Sequence, residues 1–570
     1  MVEDRPPGVP RDDGLRVPPR GEVAEDLVLD VAVAVDVHRR VPVVEHGDVL
    51  DDRPRRQLSP RSAPRALGGR GVPLSPSLYS EAGRSRREGA ARRSRRPVRA
   101  ALLLPLLRSN VSPTADRPRR AEPAAAPRRE DGSAVPWRAV AVVGVGILVQ
   151  AALLAESLAN PRPILGDEVR YWDRALAIAG GSPPTPDFVW PPLYSWLLSL
   201  SAFLFGPARL PVQLLQSALF VAAGLLLRSL LLRAPLPALS ADAGLLLLLL
   251  DLEAAAFCQY FWPEIAFLFL VLLGAWGLLA PERERRGVLF LSGVAFGAAL
   301  LTKSLLSVFV PVLVAAAALR APGEPVRRRL RAAAAFAAGL ALLPVPVAAW
   351  NGVHHGEFVV SSSGLFNLWV GLNDPPSTRD YNSVPSAEMD DYLASGSRPA
   401  ERNAALVPRI RALVASRGLF PTLAGQLKKQ YFRLFNRSSY FTDRLPGGPL
   451  APRSAEATRG ARLMRVAAYA TYAAVLVLGA VGLALGTRRE LLRSWALPYL
   501  WVGLQLGLFL LLHVKTRYRI GLLPALLAFA ALAVARIPGE VAGGRPSGRL
   551  VAGLALAGGA LFLAFHDLAP

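Results

Sequence analysis

Asp167 and Glu168 stand side by side in "GDEVRYW", a few residues beyond an apolar run that begins near Trp137. A third carboxylate, Glu264 in "QYFWPEIAF", follows another apolar stretch. The cations that could oppose them are Lys303 and the group His513, Lys515, Arg517 and Arg519 in "HVKTRYRIGLLP". Ionisable residues at the edge of hydrocarbon are costly, so they usually serve a site or find a partner. Carboxylates facing cations suit a reaction that needs a base to take a proton and positive charge to hold a phosphate. Plainer readings stand beside this one. The Asp-Glu pair and Glu264 both suit the first turn of a helix, where the dipole favours negative charge. The Lys-Thr-Arg-Tyr-Arg group could anchor a helix at the headgroups. His354 and His355 read as solvated loop, and Trp262, Trp350 and Trp369 as belt or packing residues.

These groups need a scaffold, and the rest of the chain supplies one. Of its 570 residues 52% are hydrophobic, and the mean hydropathy is positive. From Trp137 onward, runs of roughly 20 apolar residues recur, each long enough to cross about 30 Å of hydrocarbon. A soluble multidomain protein would show amphipathic stripes instead. The net charge of +23 is almost all Arg, placed in the N-terminal segment and in loops, with no nucleic-acid-binding motif. Nucleic acid is therefore not an expected partner; membrane lipids are. The single Cys258 excludes an intramolecular disulfide, and no His and Cys spacing resembles a metal site. No cofactor is indicated, and a divalent metal is left open.

Residues 1–136 differ. They are rich in Arg, Pro, Gly and Ser, a composition that buries too little apolar surface to offset chain entropy, and are expected to be a disordered basic tail. Met occurs only at 1, 389 and 464, and part of this tail reads as an artefact of start-site assignment. N-terminal sequencing of native protein tests that reading.

About eleven spans are expected, at 138–156, 209–232, 238–258, 263–280, 287–302, 304–320, 331–350, 464–486, 492–512, 517–536 and 549–566. With the N-terminus cytoplasmic, every inner loop carries Arg, as the positive-inside rule asks. The expected organisation is a transmembrane catalytic module over 137–350, a helical extracytoplasmic loop domain over 351–463 and C-terminal transmembrane helices over 464–570. Within the first module, the outer loop 157–208 holds the carboxylates, and its short apolar stretch 193–205 reads as an interfacial helix. Spans 287–302 and 304–320 are short and form an expected hairpin with Lys303 at its tip. The site would face the outside of the plasma membrane.

Four stretches, in order, carry a resemblance to a known family. They are "GDEVRYWDRALAIAGG", "WPPLYSWLLSLSAFLFG", "WNGVHHGEFVVSSSGLFNLWVGLNDP" and "TRYRIGLLPALLAFAA". Together they are similar to the Asp-Glu loop motif, the Pro-Pro-Leu-Tyr interfacial helix, the Asn-Leu-Trp-x-Gly-x-Asn segment and the Arg-Tyr-Arg motif of family 39-like members of the glycosyltransferase-C superfamily. That group includes protein O-mannosyltransferases and lipid A aminoarabinose transferases. The resemblance covers roughly 137–540 and implies an all-α polytopic bundle with outer interfacial helices. It also implies transfer of a sugar from a polyprenyl-phosphate donor to an acceptor on the outer face, with inversion.

On that resemblance Asp167 is the expected base, Glu168 its support and Glu264 the second acidic residue. Lys303, Arg517 and Arg519 would hold the lipid phosphate. Tyr171, Tyr194, Asn367, Asn373, His513 and Tyr518 are the further expected substrate-binding residues. Trp190 stands where the aminoarabinose branch often has Lys, and the loop 351–463 is too short for the β-trefoil insertion of eukaryotic mannosyltransferases. The acceptor stays open between lipid, cell-wall glycan and protein. Three other functions fit the same chain less closely, one of them a non-catalytic scaffold of the same fold. A transporter would show internal repeats and midplane charges, and a lipid-linked glycan ligase or polymerase would share the outer loop and the basic cluster.

Overall fold

A computed structural model of the chain describes residues 137–280, 285–320, 323–373, 384–451, 456–492 and 495–566. The tail 1–136, with its expected disorder and start-site reading, lies outside the described residues. The chain divides into Met1–Arg120 and Ala121–Pro570, and the described residues all fall in the second unit.

Every regular element among the described residues is a helix. Five are long and apolar enough to cross a membrane: Trp137–Ala159, Leu210–Arg233, Arg459–Leu485, Leu523–Ala542 and Gly548–Phe565. Two further apolar units are bent pairs, Leu252–Gln259 with Glu264–Leu278 at 116° and Val326–Leu342 with Pro344–His355 at 46°. Shorter apolar helices occupy Leu193–Phe205, Ala238–Leu249, 287–302, 304–319 and Ala496–Leu511. The expected apolar runs are thus all helical, but not as eleven straight spans.

The departures have local causes. The run 238–258 stops at Leu249 because Asp251 caps a new short helix, its carboxylate accepting from Ala254 N at 3.1 Å. The run 331–350 bends at Pro344, which cannot donate to the helix ladder. The stretch after Lys303 begins as a 3-10 helix, Ser304–Phe309, and becomes α-helical at Val310. The run from 517 likewise opens as the 3-10 turn Thr516–Gly521 before the helix Leu523–Ala542.

Close helix packing rests on small residues. A Cβ at Gly293 would lie 2.1 Å from Phe336 O, and one at Gly339 would lie 2.0 Å from Phe290 O. The helices Arg285–Thr302 and Val326–Leu342 therefore touch backbone to backbone, as membrane helices with small residues four apart commonly do. The segment 351–463 contributes the helices Gly364–Asn373, Val384–Ala394, Pro399–Arg417, Leu419–Phe435 and Tyr440–Arg444. In Leu193–Phe205, Tyr194, Ser195 and Leu198 are buried while Leu200, Phe203, Leu204 and Phe205 are exposed, an apolar outer face suited to lipid.

Candidate active site

Asp167 opens the helix Asp167–Ala179 after Gly166, whose φ of 62° is open to glycine at little cost. Successive helical residues point about 100° apart, and the two adjacent carboxylates go to different places. Asp167 turns to Arg517, with which it forms a hydrogen-bonded ion pair. Glu168 is fully buried and turns to Arg162, which grips both of its oxygens at 2.7 and 2.8 Å. Phe261 N donates to Glu168 Oε1 at 2.8 Å, and Tyr440 OH approaches Oε2 at 3.4 Å.

Glu168 thus clamps the segment around Arg162 to the bend at 257–263 and to the 440 region. Glu168→Ala strands the Arg162 guanidinium and the Phe261 N–H. Breaking a buried pair in this way costs about 3–5 kcal/mol, expected as a clear fall in thermal midpoint. A midpoint unchanged from wild type would show that the clamp contributes nothing.

Three charged groups converge near Asp167. Arg517 sits on the turn Thr516–Gly521, its Nε 3.7 Å from Glu264 Oε1. Lys303 Nζ reaches the same Glu264 oxygen at 2.8 Å. Glu264 begins the helix Glu264–Leu278 after Pro263, so the first-turn reading and the site reading hold together. Lys303 has extended backbone between two helices, the break expected at the tip of that hairpin. The Arg517 guanidinium lies 4.3 Å above the Trp262 ring, and Lys303 Nζ lies 5.4 Å from the Tyr518 ring.

Exposure grades across this cluster. The Asp167 side chain is 33% exposed, Lys303 18%, Arg517 8% and Glu264 1%. Asp167 is therefore the carboxylate that an incoming group can reach. Burial pushes its carboxyl up, but Arg517 and Lys515 outweigh burial and hold it below the usual carboxylate range.

The other expected residues divide. Tyr171, one turn after Asp167, packs edge-on against Tyr194 at 5.2 Å, and Tyr194 OH donates to Gln216 Oε1 at 3.0 Å. Arg519 is two residues from Arg517, and a 3-10 turn of three residues sends the two side chains apart. Arg519 pairs with Glu253 and stacks over Tyr472, away from the Asp167 cluster. Asn367 and Asn373 donate to backbone oxygens four residues back, those of Ser363 and Trp369.

The Asn-Leu-Trp-x-Gly-x-Asn segment instead buttresses the site from behind. His513 N donates to Asn367 O at 2.8 Å, and a Cβ at Gly371 would meet His513 N at 2.5 Å. Gly371 is what lets this helix lie against the stretch that leads to Arg517. Among the described residues, no three of His, Cys, Asp or Glu come together in a way that could hold a metal ion.

Residues 189–350 match the family model described as dolichyl-phosphate-mannose-protein mannosyltransferase. Over that stretch the chain is similar to this mannosyltransferase family. The matched stretch includes Tyr194, Gln216, Glu264 and Lys303, while Asp167 and Arg517 lie on either side of it in sequence. The crystal structure of ArnT from Cupriavidus metallidurans bound to undecaprenyl phosphate is similar at 17% sequence identity. That match covers 74% of this chain and 85% of that one, with a TM-score of 0.35. No curated protein matches the chain.

Sequence reasoning missed the partners that hold Glu168 in place. Arg162 carries a weak signal, a cation flanked by Pro161 and Pro163 six residues before Glu168. Tyr440 lies 272 residues from Glu168 and carries none.

Proposed function

We propose that this multi-pass membrane protein transfers a sugar from a polyprenyl-phosphate carrier to a hydroxyl-bearing acceptor at the outer face of the plasma membrane. The observation that carries the reading is a reachable carboxylate, Asp167, paired with Arg517, which with Lys303 shares the buried Glu264. The family matched over 189–350 is described by a dolichyl-phosphate sugar donor, a member of the same chemical class.

In this reading the acceptor oxygen attacks the anomeric carbon as its proton passes to Asp167. The bond from that carbon to the phosphate oxygen breaks on the opposite side, and the configuration inverts. The electron pair leaves on the phosphate, where Arg517 and Lys303 stabilise the charge. Glu264 holds the two cations close together, which like charges would resist alone. With the tail 1–136 cytoplasmic, 137–350 supplies Asp167, Glu264 and Lys303, the 351–463 helices brace the site, and 464–570 supplies Arg517.

The ion pair has a consequence for pH. In the free protein Arg517 depresses Asp167 and so weakens it as a base. A bound phosphate draws Arg517 away and lets the Asp167 carboxyl rise. The acid limb of kcat is therefore expected at higher pH than that of kcat/KM, because the two report the bound and free protein respectively. The reverse order would remove Arg517 as the shared partner.

The direct test is transfer or hydrolysis of labelled polyprenyl-phosphate sugars by the purified chain in lipid nanodiscs. Turnover of one donor supports the proposal and names the sugar. No turnover across a broad donor panel, with lipid movement instead, would replace it with transport.

A further inference from the structure

The bend between Leu252–Gln259 and Glu264–Leu278 is buried throughout: Phe257, Cys258, Phe261 and Glu264 are each at most 2% exposed. Its carbonyls have left the helix ladder and are shut off from solvent. In a membrane protein such groups must be satisfied by side chains. Three glutamines do this here, beside Arg162, which donates to Gln259 O at 3.1 Å. Gln216, fully buried on the helix Leu210–Arg233, donates from Nε2 to Cys258 O at 3.0 Å and to Tyr260 O at 2.8 Å. Its Oε1 accepts from Tyr194 OH at 3.0 Å. One turn earlier Gln213 donates to Gln259 O at 3.4 Å, and Gln150 on Trp137–Ala159 donates to Ala255 O at 3.3 Å.

The far side of the same bend delivers three residues, one to the Glu168 clamp and two to the charged cluster. Phe261 N holds Glu168, the Trp262 ring lies beneath Arg517, and Glu264 binds Lys303 and Arg517. Gln216 touches none of these groups itself. It fixes the carbonyls of Cys258 and Tyr260, just ahead of them in the chain, and ties the bend to Tyr194.

We infer that Gln216 is a positioning residue for the site, acting through the bend that carries Phe261, Trp262 and Glu264. The inference rests on the sugar-transfer reading for its effect on turnover, but not for its effect on the bend. Displacing a charged group by about 1 Å typically costs ~10²-fold in rate. The loss should fall on kcat, because the donor's remote contacts are untouched.

The chain's own chemistry provides a reporter. Cys258 is the single cysteine, is fully buried at the bend, and its thiol faces Gln216 O at 3.7 Å. The experiment compares maleimide labelling of Cys258 and steady-state turnover in the full chain in nanodiscs, for wild type, Gln216→Met and Leu245→Ala. Leu245 is fully buried between helices and outside the bend, so its truncation loosens the core without releasing these carbonyls. Gln216→Met is expected to speed labelling severalfold and to lower kcat about 10²-fold with KM nearly unchanged. Leu245→Ala is expected to lower thermal stability and do neither.

If Gln216→Met does not fold, Gln216→Glu takes its place. It keeps the acceptor for Tyr194 and loses the paired N–H donors, and the same two shifts are expected. Folded variants with wild-type labelling and kcat would overturn the assignment, as would equal shifts in Leu245→Ala. Labelling needs no substrate. A wild type that turns over no donor would sink the transfer reading while labelling still decided the role of Gln216.

Discussion

Asp167→Asn is expected to lower turnover by about 10³-fold while the protein keeps its thermal midpoint. General bases contribute ~10²–10⁴-fold, so a loss in mid-range corresponds to about 4 kcal/mol of barrier. The amide keeps the size of the carboxylate and an oxygen that Arg517 can still donate to, so the pair is weakened but not vacated. It cannot take a proton from a hydroxyl. The side chain is one-third exposed, so removing its charge leaves no buried vacancy. The check is kcat measured beside thermal unfolding in the same nanodiscs. Wild-type turnover in the Asp167→Asn variant would exclude Asp167 as the base. Loss of turnover together with loss of fold would point instead to a structural pair.

The second large effect is Arg517→Lys, expected to reduce kcat/KM by about 10²–10³-fold although charge is kept. Arg517 reaches Asp167 through Nη2 and Glu264 through Nε, a span set by a rigid planar fork. A lysine offers one compact ammonium and can serve one carboxylate at a time. It also loses the flat face that lies over Trp262. Removing one donor that stabilises developing negative charge typically costs ~3–4 kcal/mol, and the misplaced ammonium should recover only part of this. Lys303→Ala should cost less, about 10²-fold, because Arg517 remains beside Glu264. Kinetics of both variants on the same donor test the ranking. Equal turnover for Arg517→Lys and wild type would show that only charge matters at this position.

Much of this was legible before any coordinates. The apolar runs specified a helical membrane protein because only helices or closed barrels satisfy their own backbone there. The carboxylates and cations that interrupt those runs were conspicuous for the cost of placing them. Asp167, Glu264, Lys303 and Arg517 were all named as one site, and the structure brings these four together. Lys303 was placed at a break, and it lies at one. The expected run 238–258 failed as a single span because its hydropathy hid Asp251, whose capping is a local backbone event that an averaged window does not see.

By itself, then, the sequence determined which side chains carry charge and roughly where along the spans they sit. What it could not determine was where each one points. Asp167 and Glu168 read as a pair, yet a turn of about 100° sends one to Arg517 and the other into a buried clamp of Arg162, Phe261 and Tyr440. Arg517 and Arg519 read as twin phosphate ligands, and the 3-10 turn assigns only the first to the cluster. The bend that presents Glu264 is held by Gln216, a residue with nothing unusual in its sequence surroundings. Arg162 apart, direction depends on partners that lie tens to hundreds of residues away, and only packing the helices together brings those partners within hydrogen-bond reach.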